Sequence, residues 1–173
     1  MNLSQRALLM IAKLHDVLDE LVTPLHQLHD HRLQCSKGCS SCCVDDLTVF
    51  EVEAQHIVEH AEELLATATP APKGQCAFLD PEGACRVYHY RPYVCRTQGL
   101  PLRWVEEDPQ TLEITEYRDI CPLNIVEGEP VALLPAEQLW AIGPFESKLN
   151  ELQQAFNPDE PQKRIALRSL FAS

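Results

Sequence analysis

Eight cysteines are the residues of this sequence best suited to chemistry. They all lie between positions 35 and 121 of the 173-residue chain, and four of them fall in the nine-residue stretch "CSKGCSSCC". Thiols that serve only as small core residues would not keep to one region, whereas ligands gathered at one site would. We therefore predict that this cluster serves a function or holds a metal, which makes its eight members candidate ligands: Cys35, Cys39, Cys42, Cys43, Cys76, Cys85, Cys95 and Cys121.

Two other uses of cysteine fit the sequence less well. Disulfide frameworks are typical of small secreted proteins, and this chain is long enough to bury a hydrophobic core without covalent links. Cys39 and Cys42 have the Cys-x-x-Cys spacing of a redox-active dithiol. Such a dithiol normally follows a strand, however, and here a predicted helix precedes the pair.

The spacing leaves open both the identity of the metal and the number of centres. Four thiolates can bind zinc, and they can equally hold an iron–sulfur cluster. Cys42 and Cys43 are adjacent, and adjacent side chains of an extended backbone point to opposite sides. Two centres of four thiolates each are therefore as compatible with the sequence as one centre with spare sulfurs.

Arginines and histidines near the cysteines are candidates for supporting roles. We predict that Arg86, Arg91 and Arg96 bind the cofactor by donating hydrogen bonds and by compensating the negative charge of a thiolate centre. His89 is a candidate ligand or proton carrier. His56 and His60, one helical turn apart, are interpreted as part of a solvated helix face. The sequence identifies no catalytic residue and leaves open whether the protein is an enzyme.

Two linked motifs carry a resemblance to a known family. "CSKGCSSCC" and "CAFLDPEGACRVYHYRPYVCR" together resemble the YkgJ-type cysteine-cluster family of zinc- or iron-chelating proteins. Its second motif reads Cys-x-x-Tyr-x-x-Arg-Pro-x-x-Cys-Arg, which corresponds here to Cys85, Tyr88, Arg91, Pro92, Cys95 and Arg96.

The resemblance implies a metal-binding module, and proteins of this kind are often labelled iron–sulfur oxidoreductases. It favours an iron–sulfur cluster with an electron-transfer or redox role. The alternative is a zinc-binding structural or adaptor protein without catalytic activity.

The elements around the cysteines are predicted to be mostly helical. One apolar stripe marks an N-terminal helix and indicates core packing, with a dimer interface as the alternative; its members are Leu3, Ala7, Ile11, Leu14, Leu18, Leu21, Leu25 and Leu28. Pro24 should kink or break this helix, with Thr23 capping a second one. Thr48 and Glu51 resemble a capping box before a helix that extends to about residue 68.

Turn signals predict β-structure in the second half of the centre. "DPEG" indicates a turn between short strands, and "PLRWVEEDPQTLEITEY" a hairpin that turns around Asp108. A helix is expected from Pro135 onward, bent at Gly143 and Pro144, and a last helix with Asn157 as its cap. The predicted fold is α+β and mostly helical, a single domain 1–173 whose cysteine module 35–121 is flanked by helical segments 1–34 and 122–173.

Charge and hydropathy limit the kinds of partner. The formal net charge of −12 argues against nucleic acid, whose binding depends on basic residues. No run approaches the length of a membrane helix, and the N-terminal segment lacks the features of a signal peptide. We expect a cytoplasmic protein with an unidentified protein partner or substrate, without a nucleic-acid or membrane partner, in an oligomeric state that the sequence leaves open.

Overall fold

The computed structural model describes residues 3–125 and 128–171, which form an α+β fold that is mostly helical, as predicted. The α-helices of these residues are α1 (Leu3–Leu28), α2 (Glu51–Thr67), α3 (Tyr93–Arg96) and α4 (Ile142–Phe156). The strands are β1 (Thr48–Phe50), β2 (Leu102–Glu107), β3 (Ile114–Asp119), β4 (Trp140–Ala141) and β5 (Arg164–Ala166). No helix of these ranges is both long and apolar enough to cross a membrane.

Helix α1 runs through Pro24 without a break, so the predicted second helix is wrong. The hydroxyl of Thr23 donates a hydrogen bond of 2.6 Å to the carbonyl of Asp19, one turn earlier. Thr23 therefore cannot cap a new helix, because its side chain is bonded back into the helix to which it belongs.

The apolar stripe of α1 is only partly buried. Ala7, Ile11 and Leu18 lie in a hydrophobic cluster together with Val22, Leu100 and Phe145. Leu21 and Leu28 were expected in the core but are about half exposed, because Val22 and His29 take the buried positions next to them. The core thus covers one side of the stripe and leaves the other side on the surface.

Helix α2 forms as predicted, but its start is organised by distant residues. Thr48 lies in β1, paired with Ala166 of the antiparallel strand β5, so it does not cap the helix. The amide of Val52 instead donates a 3.0 Å hydrogen bond to the side chain of Gln153, which is fully buried in α4. A side chain remote in sequence thereby satisfies an amide that the first turn leaves free.

The predicted hairpin is confirmed. Strands β2 and β3 pair antiparallel from Leu102 opposite Asp119 to Glu107 opposite Ile114. The carboxylate of Asp108 accepts the amides of Gln110 and Thr111 in the connecting turn. Strand β4 adds to the other edge of β2 in parallel, so the sheet order is β3-β2-β4.

The C-terminal part contains less helix than predicted. Residues 135–141 form a 3-10 turn and strand β4, and α4 begins only at Ile142. Gly143 and Pro144 therefore lie in its first turn, where a proline loses no helical hydrogen bond. The expected last helix is absent from the described residues: Asn157 ends α4, and the following chain forms β5 because β1 offers it a strand to pair with.

Candidate metal centre

The loop after α1 carries four cysteines in two tight turns. The amide of Cys39 donates to the carbonyl of Ser36 at 3.0 Å, and that of Cys43 donates to Ser40 at 2.9 Å. Gly38 lies between them with a φ of +91°, in the region that glycine adopts without steric cost. Gly38 thus allows the tight turn expected of it.

Backbone contacts join this loop to the second cysteine segment. The amide of Cys76 donates a 2.9 Å hydrogen bond to the carbonyl of Cys43. A turn at Asp80 places Gly83 so close to the loop that a Cβ on it would lie 3.1 Å from the carbonyl oxygen of Gly38. The carboxylate of Asp80 fixes this turn by accepting the amides of Glu82 and Ala84, which confirms the predicted turn at "DPEG".

The remaining ligand candidates of this segment are placed by short, regular pieces of structure. Cys85 forms an isolated antiparallel bridge with Leu79. Helix α3 begins directly after Pro92 and carries Cys95, whose amide donates to the carbonyl of Pro92 at 3.0 Å. Pro92 therefore starts the turn that positions Cys95, as the sequence indicated.

Cys35 lies in a polar niche formed by residues that sequence reasoning did not identify. The side-chain amide of Asn124 lies 3.6 Å from the Cys35 sulfur and donates a 2.8 Å hydrogen bond to the Gly99 carbonyl. Its oxygen accepts the amide of Gln34 at 2.8 Å. A Cβ on Gly99 would collide with the Cys35 sulfur. The only sequence signal for Asn124 is its position three residues after Cys121.

We group the eight cysteines by the neighbours that most affect the pKa values of Cys35 and Cys95. Burial raises the pKa of Cys35, and three thiolate charges raise it further, those of Cys39, Cys121 and Cys42. Burial raises the pKa of Cys95 to about 12, again with thiolate contributions, chiefly from Cys76 and Cys85. We call Cys35, Cys39, Cys42 and Cys121 the outer set, and Cys43, Cys76, Cys85 and Cys95 the inner set.

The adjacent residues Cys42 and Cys43 connect the two sets. A hydrogen bond from the Cys43 thiol lowers the pKa of Cys42 to about 6, and the same bond, together with burial, raises the pKa of Cys43. The charge of Cys42 also raises the pKa of Cys95 in the inner set. Cys42 is therefore a thiolate near neutral pH and lies within electrostatic reach of both sets.

The two sets differ in exposure. Cys35 and Cys42 of the outer set are exposed, and its other two members are half-buried. Cys76 of the inner set is buried in a hydrophobic cluster with Phe78 and Val87, and Cys43 and Cys85 pack against that cluster. The outer set thus faces solvent, and the inner set borders the core.

The donor chemistry suits a thiolate centre. All eight cysteines are free thiols. Within residues 3–125 and 128–171, no three histidine, cysteine, aspartate or glutamate side chains are positioned to hold one metal ion. The residues fit zinc or an iron–sulfur cluster through their chemistry, since four thiolates are a complete ligand set for either. The eight cysteines remain the predicted ligands.

The guanidinium of Arg86 binds the backbone that carries Cys76 and Cys85. It donates to the carbonyl of Ala77 at 2.7 Å and to that of Thr69 at 3.1 Å. Its positive charge lowers the pKa values of Cys76 and Cys85, against the larger opposite effect of burial. Arg86 therefore offsets part of the negative charge of the inner set through its position beside Cys76 and Cys85.

Arg91 and Arg96 connect the inner set to α1. Arg96 is buried and donates to the carbonyls of Arg91 and His89, both at 2.8 Å, and to the carboxylate of Asp19 at 2.6 Å. Arg91 lies over the ring of Tyr88, with its guanidinium 4.0 Å from the ring centre, and its charge lowers the pKa of Cys85. Their predicted contact with a cofactor stays a prediction.

The histidines depart in part from expectation. His60 is exposed, but His56 is buried, so the pair does not form one solvated face. The ring of His56 packs against those of His15 and His60, with centres 5.5 and 4.4 Å apart, because the core-facing side of α2 includes this position. His89 is exposed beside Tyr88, and its role as ligand or proton carrier stays a prediction.

Glu53 is a buried carboxylate that the sequence pattern did not reveal. One of its oxygens accepts the amide of Tyr93 at 2.7 Å and lies 3.4 Å from the ring nitrogen of His15. Its charge contributes to the raised pKa of Cys95. It anchors the start of α3, and with it the position of Cys95, to helix α2.

Comparison with known proteins agrees with this site. A family model described as "CxxCxxCC: Putative zinc- or iron-chelating domain" matches residues 34–122, just over half of the chain. No curated protein and no solved structure matches this chain. The fold and its cysteine loops define a cysteine-cluster protein of the metal-binding class. More specifically, the chain belongs to the CxxCxxCC family of zinc- or iron-chelating domains.

Proposed function

We propose that this protein holds an iron–sulfur cluster through its outer cysteine set and uses it to transfer electrons. The main observation that supports this proposal is that Cys35 and Cys42 are exposed, while the pKa of Cys42 is lowered to about 6. A thiolate that forms near neutral pH is ready to bind metal, and an exposed centre can exchange electrons with a partner protein. One-electron exchange is the chemistry that such a cluster supplies when bound.

The surrounding residues would position the ligands of this centre. Asn124 holds the loops of Cys35 and Gly99 together and places an N–H group near the Cys35 sulfur. Hydrogen bonds to a ligand sulfur favour its charged form and raise the potential of a cluster. The left-handed Gly99 leaves the space that the sulfur occupies.

The inner set supports a second candidate, a zinc-binding structural or adaptor role without catalytic activity. Three of its members, Cys43, Cys76 and Cys85, border the hydrophobic core, where a closed four-thiolate site would stabilise the fold. Both roles can coexist, with one centre in each set. A cluster held by thiolates fits a reducing compartment such as the cytoplasm, which keeps cysteines from oxidising to disulfides.

Anaerobic purification followed by metal, sulfide and visible-absorption analysis tests the proposal. We expect iron and acid-labile sulfide in matching amounts, with a broad visible absorption that bleaches on reduction. Ser41→Ala, a change of an exposed residue between Cys39 and Cys42, should leave this spectrum unchanged. A colourless protein with tightly bound zinc and no iron would contradict the electron-transfer proposal and favour the structural role.

A further inference from the structure

One face of α1 carries an apolar stripe that the core covers only at Leu14. Met10, Val17, Leu21 and Leu28 are between 46% and 52% exposed. Leu14 is half-buried and packs against the core cluster, and Pro24 is exposed on the same face. We call these six residues the outer stripe. At 1.5 Å per residue it runs about 27 Å along the helix.

The spacing of the outer stripe is that of a helix that packs against another helix. Its members follow one another at steps of 4, 3, 4, 3 and 4 residues, from 10 through 14, 17, 21 and 24 to 28. Alternating steps of four and three keep apolar side chains in line along a seam between two helices. An isolated surface helix has no need of this second apolar line.

The stripe is complementary to a reversed copy of itself. Two copies of α1 can lie antiparallel in a register in which the numbers of two residues at the same level add up to 31. Met10 of one copy then faces Leu21 of the other, and Leu14 faces Val17. These two layers place an apolar residue against an apolar residue, while Pro24 and Leu28 lie outside them. Each of these pairs of facing residues occurs twice, because the two-fold axis of a symmetric dimer relates the two copies.

The charges beside the stripe agree with this arrangement. Lys13 and Glu20 are exposed, lie two turns apart along one edge of the stripe, and make no ion pair in the described part of the chain. In the antiparallel register, Lys13 of one copy lies level with position 18 of the other copy. Glu20 of that other copy lies two residues further, roughly 3 Å along the helix axis. The pair forms twice in the dimer. Since each chain carries a net charge of −12, two copies can approach only where opposite charges meet.

We propose that the outer stripe is a dimer interface at which two copies of α1 pack antiparallel. The contact lies at the small end of specific interfaces, so the dimer should dissociate on dilution. Metal binding plays no part in this inference.

Sedimentation of the anaerobically purified, reduced protein over a range of concentrations tests the interface. We expect a monomer–dimer equilibrium that Leu21→Asp abolishes. Leu9→Asp is the matched control, because Leu9 is 55% exposed on the same helix but lies outside the stripe. Circular dichroism verifies that both variants are folded. A wild-type protein that stays monomeric up to its solubility limit, or a dimer that Leu21→Asp leaves intact, would overturn the proposal.

Charge reversal tests the register independently of the apolar contacts. Lys13→Glu and Glu20→Lys should each weaken the dimer, although Glu20→Lys lowers the net negative charge. An equimolar mixture of the two variants should associate more strongly than either alone, because both ion pairs return in the heterodimer. Stronger self-association of Glu20→Lys than of wild type, with no gain on mixing, would show that net charge alone governs association and would contradict the register.

Discussion

The backbone amide of Cys76 donates a 2.9 Å hydrogen bond to the carbonyl of Cys43. This bond joins the cysteine loop after α1 to the segment that carries Cys76, Cys85 and Cys95. Cys43 therefore belongs spatially with the later cysteines and not with its sequence neighbours Cys35 and Cys39. This connection agrees with the assignment of Cys43 to the inner set.

Gly99 should be the glycine of the centre that tolerates substitution least. Gly99→Ala places a methyl group against the Cys35 sulfur and also strains a backbone with a φ of +92°. Gly74→Ala is the matched control, because Gly74 has a φ of +96° and no atom within 4 Å of the added carbon. We expect a loss of about 1–2 kcal/mol for the control and about 1–3 kcal/mol more for Gly99→Ala. Urea unfolding measures both, and equal losses would contradict the close contact with Cys35.

Asn124 should contribute strongly to the stability of the outer set. Asn124→Ala leaves the Gln34 amide and the Gly99 carbonyl without partners, at a cost of about 2–4 kcal/mol. Asn150→Ala removes one hydrogen bond near the surface and should cost within about 0.5 kcal/mol. Denaturant unfolding gives the stabilities and elemental analysis the metal content. A metal content and stability equal to wild type would remove Asn124 from the site.

Even a conservative substitution of Arg96 should destabilise the protein. Its guanidinium makes three hydrogen bonds, to Arg91, His89 and Asp19, which the single ammonium group of lysine cannot replace. We expect Arg96→Ala to cost about 2–4 kcal/mol because it removes a buried guanidinium and its three hydrogen bonds, with little rescue in Arg96→Lys. Arg103→Ala breaks a half-exposed pair with Glu116 and should cost less than about 1 kcal/mol. Full rescue by lysine would mean that charge alone matters at this position.

His56 should make the protein less stable in mild acid. Burial, followed by the charges of His15, His60 and Arg96, lowers its pKa to about 4 from the ordinary value of 6.5. Between these values the unfolded chain binds the proton more readily, so stability is complete above pH 6.5 and falls as the pH decreases toward 4. The contribution is on the order of 2 kcal/mol.

Comparison of variants isolates this effect. His56→Gln should flatten the dependence of unfolding free energy on pH between 6.5 and 4, while His89→Gln, a change of an exposed histidine outside this ring cluster, should leave it in place. Urea unfolding at several pH values measures the slope. A slope that is the same in wild type and His56→Gln would exclude His56 as its source.

Local signals explain which parts of the fold could be predicted. The hairpin depends on Asp108 and the strands next to it, and α1 and α2 follow from apolar spacing, so the sequence was sufficient for them. The C-terminal prediction failed at residues 157–171 because β5 exists through its pairing with β1, more than 100 residues away. Thr48 was misread for the same reason, since strand pairing overrides its pattern as a helix cap.

The candidate site shows the same limit. The cysteines could be recognised by type and spacing, but their assignment to sets depends on contacts such as that between Cys43 and Cys76. Asn124 and Glu53 carry no motif, and only the fold brings them to Cys35 and to the start of α3. His56 was taken for a surface residue because helical spacing alone does not tell which side of α2 faces the core.

The metal content of a variant that lacks half of the outer set tests the central claim most directly. In Cys35→Ser/Cys121→Ser, purified anaerobically beside wild type and Ser41→Ala, we expect a folded protein that keeps the inner centre and loses the outer one. It should lose the iron and acid-labile sulfide of the outer centre and keep the metal of the inner set. A variant that remains folded but loses all of its metal, or none of it, would contradict the division of the eight cysteines into two sets.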